Sequence, residues 1–566
     1  MAPTSTPHNA FLTAWESYKS SLASRRTEHL AQFETITTGG GICQYGTLTL
    51  TEKDFPAEYK HIQDRREDDN RINKAKNKET NSLPELTRLR YTAEVVHPVA
   101  PNKEPVGGYP LYIGLHGGGG YPTRDIKTLA EATSSNDTQW NYMSRAYKGA
   151  LTLGGVWVAL RGIGDTWDLH FTAAGYILLD RLIENMILFG AKQSPTSNDG
   201  GPAVSINPNR VYLIGFSAGG DGVYRLANRL AQRFAAVNMG GGHAGSMIQH
   251  AGIPDSDKKR LDNGLLNLAN TPTCLQVGMG DRYDDAAVRS WTVAQSGVDL
   301  DANQAHYRNN VVNNPGADIY DHAVYIHTDH ISNGDWHFSW ESSNFQWHGK
   351  KSRNLDESQV IADYKAWKDS WKNGQLPADT PGTVGKPTNA ILHWFTESHT
   401  RSPAPQYIVW DLTTPRGNDN INEDIFRCLG AKGSQNYWLD IGDGTRLMAG
   451  VTVPIVAGMD DKTNTITIYS TGNMSYLRIL LRPHMKVSIE KDITVQIHSE
   501  DNTTQPQIIT PIQIGWSTSV INDTVARNDP SLVFCSDIVL TKDSNGAKTW
   551  YWNTNSPKTP AKKSRL

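Results

Sequence analysis

The stretch Val211 to Arg229, VYLIGFSAGGDGVYRLANR, constrains the chain more than any other. It opens on an apolar run, Val211 to Ile214, with the length and composition of a short buried strand. Gly215-Phe216-Ser217-Ala218-Gly219 follows, and then Val223, Leu226, Ala227 and Leu230 recur at helical spacing. Strand, G-x-S-x-G and helix in that order predict a nucleophile elbow, in which Ser217 sits on a sharp turn with its hydroxyl clear of the sheet. The flanking glycines leave room where larger side chains would collide. The helix N-terminus behind the serine favours negative charge developing in front of it. Five residues alone are a weak pattern in a chain with 49 glycines, so the flanking elements carry the inference. The competing reading is a tight strand-to-helix turn with a capping serine.

Other segments fall into place around this one. Leu89 to Val96 and Leu111 to Leu115 read as strands, and the second runs straight into His116-Gly117-Gly118-Gly119-Gly120. Glycines there allow backbone N–H groups to converge on a carbonyl oxygen that becomes negative. Gly118 and Gly119 are the candidate oxyanion donors from this loop, with the N–H of Ala218 as the other. Val156 to Leu160 is a further buried strand ending at Arg161-Gly162, and Asp180 to Phe189 an amphipathic helix. Strands alternating with helices predict a mostly parallel sheet covered on both faces, with reactive groups at the carboxyl ends of its strands. His116, Arg161 and Ser217 all fall at such ends.

The partners of a nucleophilic serine should follow it in the chain. Thr273 to Gly278 reads as a strand, and Asp281 lies just beyond it, with Asp284 and Asp285 in competition. A turn or cap residue is the plainer reading of any one of these. Ala323 to His327 is the next strand, leading to His330 and His337, either of which can be the base. His243, after Phe234 to Met239, is better read as a structural or pocket-lining residue than as the base. His116, Asn136, Trp140, Arg161 and Trp167 are candidate substrate-binding residues, although packing would explain the tryptophans equally well.

Residues 1–88 read as an extension, with a helix over Ala10 to Thr35 and a strand over Tyr45 to Leu50. Residues 89–405 form the catalytic domain, interrupted by a Pro/Gly-rich insertion at 374–388. Residues 406–553 form an all-β module. Its short alternating runs, Val451 to Val456, Thr463 to Tyr469, Tyr476 to Leu481, Val487 to Ile489 and Thr494 to His498, suggest a small sandwich. Its functional reading is substrate binding or dimerisation and its plainer one a lid or packing domain; packing and assembly are favoured, with a possible homo-oligomer. Residues 554–566 are a tail ending in Ser564-Arg565-Leu566. That ending is a variant of a peroxisomal address, which implies an import receptor as partner and a peroxisomal location, with cytoplasmic as the alternative.

Composition excludes several classes. The net charge is -3 with no basic stripe, so nucleic acid is not an expected partner. Cys43, Cys274, Cys428 and Cys535 form no C-x-x-C pair, so no zinc or redox motif is visible. No secretory signal follows Met1, and no run of 18 apolar residues predicts a membrane span.

Several segments together resemble the alpha/beta-hydrolase superfamily. They are LHGGGG (Leu115 to Gly120), NDTQW (Asn136 to Trp140), RGIGDTWDLHF (Arg161 to Phe171), the run from Asn209 to Met239 and GDWH (Gly334 to His337). The order Ser217, Asp281, His337 fits the same superfamily. Within it, the chain is most similar to the branch of esterases and polyhydroxyalkanoate depolymerase-like hydrolases. His399 to Leu412 and Tyr437 to Ile441 look like the C-terminal β module of a mostly bacterial group in that branch, so the resemblance covers roughly Leu89 to Glu500. That group places the base in a Gly-x-x-His context, which favours His337 over His330. The Ser-Arg-Leu end departs from the group. The resemblance implies an alpha/beta-hydrolase fold and a hydrolase, but supplies no substrate. The set of nucleophile, base, acid and oxyanion donors points to a serine hydrolase acting on a small ester or thioester, with no metal or organic cofactor because Ser217 carries the acyl group. A peroxisomal acyltransferase or amidase on the same triad is a second expectation, and a catalytically silent fold used for binding or a non-hydrolytic rearrangement is a third.

Overall fold

The computed structural model describes residues 7–31, 34–38, 41–50, 88–98, 105–117, 140, 143–144, 154–163, 173–192, 203–240, 267–268, 270–278, 323–329, 343–350, 400–410, 434–442, 455–471, 474–498, 505–512, 514–542 and 549–552. Its first unit is built on a ten-stranded sheet. The strands are β1 (Glu34–Thr38), β2 (Gly41–Thr49), β3 (Arg88–Val96), β4 (Tyr109–Leu115), β5 (Gly155–Ile163), β8 (Ile206–Phe216), β9 (Ala236–Gly240), β10 (Thr273–Gly278), β11 (Ala323–Asp329) and β12 (Ser343–Lys350). They lie in the order β1-β2-β3-β5-β4-β8-β9-β10-β11-β12. A separate pair, β6 (Ala191–Lys192) and β7 (Ala203–Val204), stands apart from this sheet.

From β2 to β11 every strand except β3 runs the same way: β3 is antiparallel to both its neighbours, while β5, β4, β8, β9, β10 and β11 pair in parallel. The central strands read as continuous apolar runs because both faces are covered. All seven residues of β4 are buried, as are Val211 to Gly215 of β8. Against one face pack α3 (Ala173–Phe189), through Leu178, Leu179, Leu182, Ile183 and Met186, and α4 (Ala218–Arg229), through Val223, Leu226 and Ala227.

The N-terminal segment contributes strands to the main sheet. After α1 (Pro7–Ser21) and α2 (Ala23–Ala31) the chain enters β1 and β2, the first two strands of the main sheet. The single helix expected over Ala10 to Thr35 is thus two helices and the start of a strand. The β-branched run Thr35-Ile36-Thr37-Thr38 suits a strand better than a helix. Strand β12, antiparallel to β11, was not anticipated from the sequence.

The second unit is a sandwich of two five-stranded sheets. One holds β13 (Tyr407–Trp410), β16 (Ile455–Asp460), β17 (Thr465–Thr471), β19 (Ile493–Ile497) and β20 (Gln507–Ile512). The other holds β14 (Gln435–Asn436), β15 (Leu439–Asp440), β18 (Tyr476–Leu481), β21 (Ser536–Lys542) and β22 (Trp550–Trp552). Inward residues of both, among them Ile408, Ile466, Ile468, Ile479, Leu481, Val495 and Ile538, make one core. Val487 to Ile489, expected as a strand, lies in the turn between β18 and β19. The Asn464 side chain accepts from the Ser488 N–H at 2.6 Å and donates to the Ser488 carbonyl at 3.1 Å, so a side chain takes the place of a strand partner.

The sandwich docks at the amino-terminal ends of the parallel strands. The Arg401 N–H donates to the carbonyl of Asn209, near the start of β8, and its guanidinium to the carbonyl of Gln232, just before β9. Asn270, just before β10, donates to the Tyr407 carbonyl, and the Tyr437 N–H donates to Gln232 Oε1. Buried ion pairs run through this seam. Arg233 contacts Asp180 at 2.8 Å, Asp529 at 3.2 Å and Glu184 at 3.4 Å, and Arg401 contacts Asp529 at 2.8 Å. Burial lowers the Arg233 guanidinium, but the three carboxylates more than offset this and hold it above its ordinary value. The N-terminal helices strap the seam: Trp15 and Leu22 share an apolar cluster with Leu188 and Phe189 of α3 and with Ile521 and Val525 of α5 (Thr518–Val525). Among the described residues no helix is long and apolar enough to cross a membrane.

Candidate active site

Ser217 stands between β8 and α4 with φ 55° and ψ -119°, a conformation that L-residues rarely adopt. Its N–H donates to the Gly240 carbonyl at the end of β9, 2.7 Å away, and its carbonyl accepts from the Asp221 N–H at 3.0 Å. Its side chain makes no capping bond to α4, so the capping reading of this serine does not hold. The residue is half-buried.

The two flanking glycines are required by close approach. A Cβ on Gly215 would lie 2.1 Å from the Gly219 carbonyl oxygen, and one on Gly219 would lie 2.0 Å from the Leu115 carbonyl oxygen. No side chain fits at either place. The helix start is therefore pressed against the end of its own strand and against the end of β4. That contact sets Ser217 beside the His116–Gly117 segment, which leaves β4 immediately after Leu115.

His116 itself is buried. Its Nδ1 faces the Gly117 carbonyl at 2.8 Å and its Nε2 faces the Arg161 carbonyl at 3.3 Å. Trp140 is fully buried; its indole N–H donates to the Ala159 carbonyl at 3.1 Å, and the Arg161 guanidinium lies over its ring at 5.1 Å. Tyr45, which was not singled out from the sequence, packs its ring on Trp140 at 5.9 Å. Its only signal was an aromatic residue in an alternating strand.

The carboxyl ends of the parallel strands line up. Phe216 pairs with Gly240, Gly240 with Gln276, and Gly278 with Asp329. The chain leaves β10 three residues before Asp281 and leaves β11 eight residues before His337, both at the edge where Ser217 stands. Asp281 and His337 themselves lie outside the described residues. So do Gly118, Gly119, Asn136, Trp167, His243, Asp284, Asp285, His330, the 374–388 insertion and Ser564 to Leu566. Of the expected site, the structure brings together Ser217, Ala218, His116, Trp140 and Arg161.

No protein-family model matches the chain, and no curated protein matches it. Solved structures do. A thermostable esterase matches with TM-score 0.27 and 13% identity over 56% of this chain and 60% of that one. An inhibited esterase B from Lactobacillus rhamnosis matches with TM-score 0.26 and 12% identity over 65% and 98%. An a/b serine hydrolase without lid from Xanthomonas campestris matches with TM-score 0.22 and 14% identity over 52% and 92%. The chain thus spans less than two thirds of the first esterase's length. The strand order itself defines the fold. Counted from β2, that order is 1-2-4-3-5-6-7-8 with only the second strand reversed, and a strained serine follows the fifth: the chain has the alpha/beta-hydrolase fold.

Proposed function

We propose that the chain is a serine hydrolase that cleaves a carboxylic ester or thioester. The observation that carries this is the backbone of Ser217, held at φ 55° on the turn between β8 and α4. Strain of this kind costs about 1–3 kcal/mol, and it persists only where the surroundings over-determine it, which is typical of reactive centres. The Ser217 hydroxyl attacks the substrate carbonyl while His337 takes its proton, and Asp281 orients the imidazole. The resulting oxyanion is held by the N–H of Ala218, at the start of α4, and by N–H groups of Gly118 and Gly119. His337 then returns the proton to the leaving group. Water repeats the sequence on the acyl-enzyme and releases the acid. The chemistry needs no metal or organic cofactor, because Ser217 carries the acyl group.

Two expectations about the C-terminal module meet the docking geometry differently. The contacts at Asn209 lie eight strand residues from Ser217, roughly 25 Å along β8. This supports a packing role for the sandwich and weighs against a lid over the serine.

The test is labelling by a fluorophosphonate probe, followed by turnover on a panel of esters, thioesters and amides. Wild-type protein should be labelled, and Ser217→Ala should lose labelling and turnover together. Equal turnover by Ser217→Ala overturns the proposal. Added alcohols and amines separate hydrolysis from acyl transfer: an amide or ester product in place of the free acid would favour the transferase.

A further inference from the structure

We infer that Trp140 and Arg161 are positioning residues for the oxyanion loop, acting through His116, and not walls of the substrate pocket. The inference rests on the serine-hydrolase reading above. Trp140 is 0% exposed, Arg161 1% and His116 3%, so none offers a surface to a substrate. Together with Tyr45 they form a continuous column. The ring of Tyr45 on β2 meets the indole of Trp140, and the Arg161 guanidinium covers that indole. The Arg161 carbonyl then faces the His116 imidazole, which also faces the carbonyl of Gly117, where the glycine run begins.

The sheet explains why the column forms here. Tyr45 pairs with Thr92, and Thr92 with Ala159, so the three residues make one row across β2, β3 and β5. The small Thr92 and Ala159 leave space beside Tyr45 for an indole. Trp140 fills that space and is tied to the row by its N–H bond to Ala159. Arg161, two residues further along β5, projects to the same face, as alternation along a strand requires. Its desolvated cation is held over the indole by the charge on the ring face. With residues 159 and 161 both fixed, the Arg161 carbonyl is a rigid reference point at the end of β5. A neutral imidazole donates to one of its two facing carbonyls and a protonated one to both. In either state the ring fills the gap between the ends of β4 and β5 and sets where the loop after Gly117 starts.

A positioning column and a pocket wall respond differently to substitution. Oxyanion contacts strengthen in the transition state, so a displaced loop lowers kcat, whereas a damaged wall raises KM. Deleting one donor outright costs 10²–10³ in kcat, and displacing the loop should forfeit about tenfold. Steady-state kinetics on p-nitrophenyl butyrate, with fluorophosphonate labelling rates, should show Arg161→Met lowering kcat and labelling about tenfold with KM within about twofold. Arg161→Lys keeps a cation over the indole and should restore most of the loss. Trp140→Phe, which keeps an aromatic filler without the N–H, should show the same split as Arg161→Met and serves if that variant does not fold. A rise in KM with kcat unchanged, or no change in either constant, overturns the inference. Failure of the underlying reading would look different: wild-type activity would then not depend on Ser217 at all.

Discussion

Asp529 tests how the two units are held together. It belongs to the sandwich and is completely buried. It accepts from Arg401 at 2.8 and 3.1 Å, from Arg233 at 3.2 Å and from the Ser531 N–H at 2.9 Å. Burial raises its carboxyl, but the charges of Arg401 and Arg233 more than offset that and hold it below the usual carboxylate range. Asp529→Asn keeps the shape and removes the charge. Breaking a buried ion pair costs about 3–5 kcal/mol, because the partner is left uncompensated. Arg233 would still have Asp180 and Glu184, so the loss falls mainly on Arg401. Among the described residues, Arg401 would keep the carbonyl of Gln232, the side chain of Asn209 and one neutral amide oxygen at position 529, and would lose its carboxylate partner. The expected cost is therefore at the low end, about 3 kcal/mol, or roughly a hundredfold in the folding equilibrium. Urea unfolding followed by tryptophan fluorescence should show a lower midpoint, and the sandwich should unfold ahead of the catalytic unit. A carboxyl depressed in the folded state stabilises fully above the unfolded value near pH 4, and that stability is lost as pH falls through the folded value. The Asn variant should lose this component of acid sensitivity. The double variant Asp529→Leu/Arg401→Met, with neither charge present, should recover part of the loss. An Asp529→Asn protein with the wild-type urea midpoint would refute the reasoning.

Two further outcomes follow from strain and burial. Ser217→Gly relieves the positive φ of the elbow and should stabilise the fold by about 1 kcal/mol after the glycine's larger unfolded-state entropy is subtracted, while activity is lost. Thermal denaturation checks this, and a melting temperature no higher than that of Ser217→Ala counts against it. His29 is buried, with its Nε2 3.0 Å from the Gly190 carbonyl, and burial pushes its imidazole down to about 4. Its contribution to stability is complete above the unfolded value near 6.5 and is lost as pH falls toward 4, by at most roughly 3 kcal/mol. His29→Gln keeps a donor for Gly190 and should flatten the pH dependence of unfolding in that window. An unchanged slope would show that the acid sensitivity arises elsewhere.

The elbow was legible because it is local. The glycines of the elbow are needed by contacts within four residues and by the neighbouring strand end, and such demands leave a short, fixed-spacing trace in the chain. The strand feeding His116 was legible for a similar reason: a strand buried on both faces writes itself as an unbroken apolar run. Val487 to Ile489 shows the limit of that logic, since an apolar pair in a turn looks like a strand until Asn464 supplies the bonds that a strand partner would have made.

The elbow, the parallel sheet and the β sandwich depend on side-chain size and periodicity over a few residues, and so are legible in the chain. Packing between distant segments set where the sandwich attaches, added β1 and β2 to the main sheet and buried Trp140 against the Arg161 guanidinium. Those features depend on pairs far apart in the chain. Arg401 and Asp529 are separated by 128 residues, Arg233 and Asp529 by 296. A charged residue destined for a buried pair is indistinguishable in sequence from one on a solvated surface until the fold brings its partner within reach. The physical reason is that local strain and excluded volume act between neighbours, while desolvation and charge pairing are settled by whichever segments the folded chain packs together.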